Sequence, residues 1–152
     1  MLKIQEFSNL TDLEAKSLYQ APAMIAVLIA SADSNIEEKE TAWAKKVMNF
    51  RQEVGKDSLF NYYEIADSYF SEELRSLLND DKGTQERLSS LEGALTEMNV
   101  ILAKIDADFA MELVQSWRSF AQQVAKATGG ILGFGSISEQ EKHLMGLKMI
   151  SL

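Results

Sequence analysis

Between Thr84 and Ile105, six apolar residues recur at steps of three, four, three, four and three: Leu88, Leu91, Leu95, Met98, Leu102 and Ile105. That rhythm follows the 3.6-residue turn of an α-helix and lays all six on one stripe. Gln85, Glu86, Ser89, Ser90, Glu92 and Glu97 fall off it. At 1.5 Å per residue such a helix is roughly 30 Å long. The chain spends a single proline, Pro22, in 152 residues, where sheet proteins spend more Pro and Gly on turns. The expected fold is therefore all-α.

The same reading extends along the chain. From Ala107 to Thr128 the stripe is Ala110, Leu113, Trp117, Phe120 and Val124, widened by Val114 and Ala121. Asp106 suits the N-cap, Asp108 the first turn and Gly129 the stop. Thr11-Asp12-Leu13-Glu14 is a capping-box pattern that opens a short helix to about Tyr19. Pro22 suits the first position of a further helix, reaching Ala32, where no N–H is needed. That helix is apolar all round, with Met24, Ile25, Val27, Leu28 and Ile29, so it belongs at the centre of the fold.

Asp33-Ser34-Asn35 breaks the pattern. Asn35 caps a helix from Ile36 to about Val54, with Glu38 closing the capping box, Gly55 beyond the end, and Trp43, Val47, Phe50 and Val54 facing inward. Helices from about Leu59 to Phe70 and from about Glu72 to Leu78 follow, the second capped by Ser71. Asp80-Asp81-Lys82-Gly83 is a loop, and a last helix spans about Ile137 to Ile150. The expectation is a compact bundle of about seven to eight helices, a single domain over residues 1–152.

Composition bounds the function. The net charge is −8, from 23 acidic against 15 basic residues. Nucleic acids and anionic membranes call for basic surfaces, so neither is an expected partner; cations or basic proteins fit better. No cysteine is present, which removes disulfides, thiolate metal sites and cysteine nucleophiles together. The N-terminal residues lack the apolar run of a signal peptide. Ala21 to Ala30 is about half the length that spans a bilayer. A cytoplasmic location is the expectation.

Two stretches echo each other. Ala26–Asp33 followed by Asn35–Glu40, and Ala121–Thr128 followed by Ser136–Glu141, each read as an alanine-rich helix, a break, a capping residue, an isoleucine and paired acids. Two such helix–turn–helix units suggest an approximate internal duplication. The first stretch, with Ala21-Pro22, resembles the start of TerB-like domains, the family of the tellurite-resistance protein TerB. Ser119–Ala121, Ala125–Ala127 and Gly135–Ser138 with Glu141 are similar to the second half of such domains. The resemblance covers about a third of the chain. Ser34 stands where that family usually has glycine, and Thr128 where the second copy has aspartate. The resemblance implies a duplicated helical bundle and a stress-response role as an interaction module, with an acidic surface and divalent-cation binding.

Candidate sites follow from residue type and spacing. Asp33, Asn35 and Glu37 alternate, and Glu40 follows one turn later, the way oxygen ligands open a calcium loop. The sixth loop position is Glu38 rather than glycine and the twelfth is Ala44 rather than glutamate, so a Ca or Mg ion here needs further ligands. Asp106, Asp108, Glu139 and Glu141 supply them if the two halves pack together. The plain reading is helix capping. Gly129–Ser136 lacks the ending of a phosphate loop; its Ile131, Leu132 and Phe134 either enter the core or form a partner contact. His143 is the lone histidine, and no serine sits in a nucleophile elbow. Tyr62, Tyr63, Tyr69 and Phe70, beside Glu64, Asp67, Glu72 and Glu73, read as a core stripe with an acidic back or as a surface for a basic helix.

The function expected is a non-enzymatic module presenting an acidic helical surface to a protein partner. The alternative is a divalent-cation sensor centred on Asp33, Asn35, Glu37 and Glu40.

Overall fold

The computed structural model describes residues 1–31, 57–79, 83–130 and 144–152. Among them lie a 3-10 turn, Gln5–Phe7, and four α-helices: α1 (Asp12–Ser31), α2 (Asp57–Leu78), α3 (Thr84–Leu102) and α4 (Ala107–Gly130). The described residues contain no strand. The all-α class holds, but the described residues form four helices against the seven to eight expected of the chain: two expected breaks do not occur, and the expected helix at 36–54 lies outside the described residues.

The first absent break is at Pro22, which sits inside α1 rather than at the start of a new helix. A proline in a helix interior has no N–H to give the carbonyl four residues back, here Leu18. The fold supplies a substitute donor. The Tyr62 hydroxyl donates to the Leu18 carbonyl at 2.6 Å, and itself accepts the Trp117 indole N–H at 3.0 Å. All three residues are fully buried. A chain of hydrogen bonds thus ties α4 to α2 and α2 to the weak point of α1.

The second is at Ser71, through which α2 runs unbroken. Serine inside a helix costs only a few tenths of a kcal/mol. The buried row Leu59, Tyr62, Tyr63, Ala66, Phe70 and Leu74 crosses it without losing phase. At the other end of the chain, α4 continues through Thr128 and Gly129 to Gly130. The expected helix to Ile150 ends early: helical geometry stops after Met145, and Leu147 takes a left-handed φ of 47°. The tail is held instead by side chains. Arg118 donates to the carbonyls of Gly146, Ile150 and Leu152, while Asn99 donates to the Met149 carbonyl and accepts from Ser151 N–H. The expected helix at 36–54, and the turns and second helices of the internal echo at 33–40 and 136–141, lie outside the described residues.

α1 is the hub. It packs against α2, α3 and α4, whereas the α2 and α4 backbones come close at few points and meet mainly through side chains. From Ala21 to Ser31 every α1 residue is buried except Met24, which is half-buried, as its uniform apolarity predicts. All six stripe residues of α3 and its following turn are buried, and so are all seven of α4. The expected caps form. Thr11 N–H donates to Glu14 Oε1 at 2.9 Å while Glu14 N–H donates to Thr11 Oγ at 3.1 Å, and Asp106 accepts from Phe109 N–H at 3.0 Å. Ile4, Phe7 and Leu10 of the N-terminal segment join the same core.

Candidate functional site

At one described end of the bundle α1, α2 and α4 begin and α3 finishes. Two polar contacts fix these ends together. Lys104, just past α3, pairs with Glu14 in the first turn of α1. Ser58, at the start of α2, donates to Glu112 in the second turn of α4 at 2.6 Å. The pairing of Tyr63 with Ser116 continues the alignment of α2 and α4 inward.

Helix starts gather acids because a carboxylate there meets the unpaired N–H groups of the first turn. Asp12 and Glu14 open α1, and Asp106 and Asp108 open α4. Two of the cations nearby are committed, while Lys16 stands exposed in the second turn of α1. Lys3 donates to the Leu10 carbonyl at 3.0 Å and pairs with Asp12 at 3.3 Å, and Lys104 holds Glu14. Large apolar side chains stand exposed in the turns nearest these helix ends: Leu13 (77%), Phe60 (47%), Val100 (65%) and Met111 (50%). Exposed apolar residues and acids in the same helix turns suit a basic amphipathic partner.

The hydrogen bond from Lys104 holds the Glu14 carboxyl below the ordinary glutamate value of 4.5, helped by the Thr11 N–H. The lowered value means that this contact supports the folded state above about pH 4.5 and is lost as pH falls through the folded-state value. Carbon-detected NMR titration should place the Glu14 midpoint below 4.5, and Lys104→Met should move it upward. An unmoved midpoint would show that the ion pair does not persist in solution.

Beside this end runs a groove of about 520 Å³. One wall is the segment Leu2–Gln5, extended at Ile4. The other is one face of α2: Asn61, Glu64, Ile65, Ser68 and Tyr69, at the i, i+3, i+4, i+7, i+8 spacing of a single helical stripe. The Ile4 N–H donates to the Tyr19 hydroxyl at 3.0 Å and so anchors the segment to α1. Tyr69 is half-buried and stacks on Tyr19 with ring planes 4° apart and centroids 6.0 Å apart. The aromatic residues of α2 thus divide. Tyr62, Tyr63 and Phe70 are core, packed with Phe7, Trp117 and Phe120, while Tyr69 borders the groove.

The predicted metal residues Asp33, Asn35, Glu37 and Glu40 lie outside the described residues, as do Glu139, Glu141, His143 and residues 131–136. Of the further ligand candidates, Asp106 is engaged as the α4 cap and Asp108 is exposed in the first turn. Among the described residues no group of three or more His, Cys, Asp or Glu could hold a metal ion. No described helix is long and apolar enough to cross a membrane. The groove was not anticipated from the sequence, although its α2 face has a helical spacing that can be read there. The chain matches no family model, no curated protein and no solved structure.

Proposed function

We propose that this protein is a non-enzymatic interaction module whose acidic helical end receives a basic, amphipathic segment of a protein partner. The observation that carries the reading is that Leu13, Phe60, Val100 and Met111, all exposed, each stand within the terminal two turns of their helices, the same turns that carry the carboxylates opening α1 and α4. Apolar side chains supply contact area, and the surrounding negative charge selects a basic partner and steers its approach. A net charge of −8 acts in the same sense over the whole chain. A TerB-like stress-response setting rests on the sequence stretches named above, and so does the alternative of a divalent-cation sensor at Asp33–Glu40.

The test is affinity capture followed by mass spectrometry, with the wild-type chain and a Leu13→Ser, Met111→Ser variant. Both positions are solvent-exposed, so the variant should keep its helical circular dichroism. The expected result is a basic protein held by the wild type, released by raising salt beyond physiological strength, and lost from the variant. Recovery of the same proteins by both chains, or of none above background, would overturn the reading.

A further inference from the structure

We propose that the groove between Leu2–Gln5 and α2 binds an arginine side chain on an extended segment of that partner, with its guanidinium at Glu64 and Tyr69. The inference rests on the module reading and names the chemistry the partner must carry.

The argument begins with what lines the groove. Glu64, Asn61 and the Tyr69 hydroxyl offer oxygen acceptors, and Ser68 spends its hydrogen on the Ile65 carbonyl at 2.5 Å, which leaves its oxygen able to accept. The one cation among the described residues that line the groove, Lys3, is drawn away to the Leu10 carbonyl and to Asp12. What remains, among the described residues, is acceptor-rich with one negative charge, on Glu64, that no described cation pairs with. A ligand there must bring donors and positive charge. Between the polar positions lie Ile65 and Leu2, so it must also bring an apolar stem.

Arginine meets each demand. Its guanidinium carries five N–H donors and no acceptor, and its methylene stem covers apolar surface while the charged head stays hydrated. It also favours aromatic faces. The Tyr69 ring, kept in place by stacking on Tyr19, provides one. Lysine, a compact and strongly hydrated charge, uses the acceptors but gains less from the ring. The remaining volume accommodates the residues flanking the arginine.

The experiment uses the intact 15N-labelled chain and two probes, the peptide acetyl-Leu-Arg-Leu-amide and its citrulline analogue, which keeps the shape and removes the charge. The arginine peptide should shift the amide signals of Leu2–Gln5 and Asn61–Tyr69, and the citrulline peptide should not. Glu64→Gln should weaken binding by up to roughly fivefold, the upper end of the range for an exposed charge pair. Glu97→Gln, on the exposed side of α3, should leave it unchanged. Equal binding of both peptides, shifts lying elsewhere, or no saturable shift near about 10 mM peptide would overturn the proposal. If a partner is captured yet the groove is inert, only this inference fails. If the peptide binds but capture yields no partner, the module reading fails instead.

Discussion

Replacing Tyr62 with phenylalanine should destabilise the protein by about 2–6 kcal/mol, far more than the loss of one oxygen atom suggests. The hydroxyl serves two buried groups at once. It donates to the Leu18 carbonyl, which Pro22 has deprived of its helical partner, and it accepts the Trp117 indole N–H. Phenylalanine keeps the ring packed against Phe7, Tyr19 and Tyr63 but strands both groups, at about 1–3 kcal/mol each. The cause can be isolated with a second substitution. Pro22→Ala restores a backbone N–H that can reach Leu18, so it should recover roughly 1 kcal/mol or more in the Tyr62→Phe background relative to its effect alone. Urea unfolding of the four proteins gives this coupling directly. Purely additive effects would mean that the proline and the tyrosine do not share the Leu18 carbonyl. A pH series adds a further check. Burial raises the Tyr62 hydroxyl well above its ordinary 10.0, so the folded chain keeps a proton that the unfolded chain releases. Stability should be intact below about pH 10 and decline above it, and Tyr62→Phe should flatten that decline.

The second large effect is expected at the centre of α1. Leu28→Ala should cost about 2–5 kcal/mol, because Leu28 is completely enclosed and its removal leaves a cavity between helices that cannot close around it. Leu13→Ala, the same chemical change fifteen residues earlier in the same helix, should lie within about 0.5 kcal/mol of the wild type, since Leu13 is 77% exposed. Denaturation midpoints should separate the two variants, with similar dependence on urea concentration. Equal losses would show that α1 is not enclosed by its neighbours in the way described.

Local signals in the sequence transferred well wherever one segment decides its own fate. The stripe from Leu88 to Ile105 is buried throughout, the Thr11–Glu14 box closes in both directions, and Asp106 caps α4, because periodicity and capping depend on residues within a turn or two of one another. The helix count failed for the complementary reason. Whether Pro22 ends a helix depends on a donor forty positions away, and nothing near Pro22 announces Tyr62. The C-terminal tail is a similar case. Local pattern favours helix to Ile150, yet Arg118 and Asn99 collect its backbone groups from other helices. The groove was hidden in part because one of its walls, Leu2–Gln5, has no periodicity to read. The acidic end was legible as negative charge and helix-opening carboxylates, but the alignment of three helix starts became visible only through contacts such as Ser58 with Glu112.

The position of α1 also bears on how the chain is made. A ribosome releases α1 long before α2, α3 and α4, the three helices that enclose it. Until α4 has emerged, the run from Ala21 to Ser31 has no finished shelter, and nascent chains with uncovered apolar surface are prone to associate with one another. Production of this protein should therefore depend on chaperones that hold emerging chains, and fragments truncated before α4 should collect as aggregates rather than as partly folded monomers.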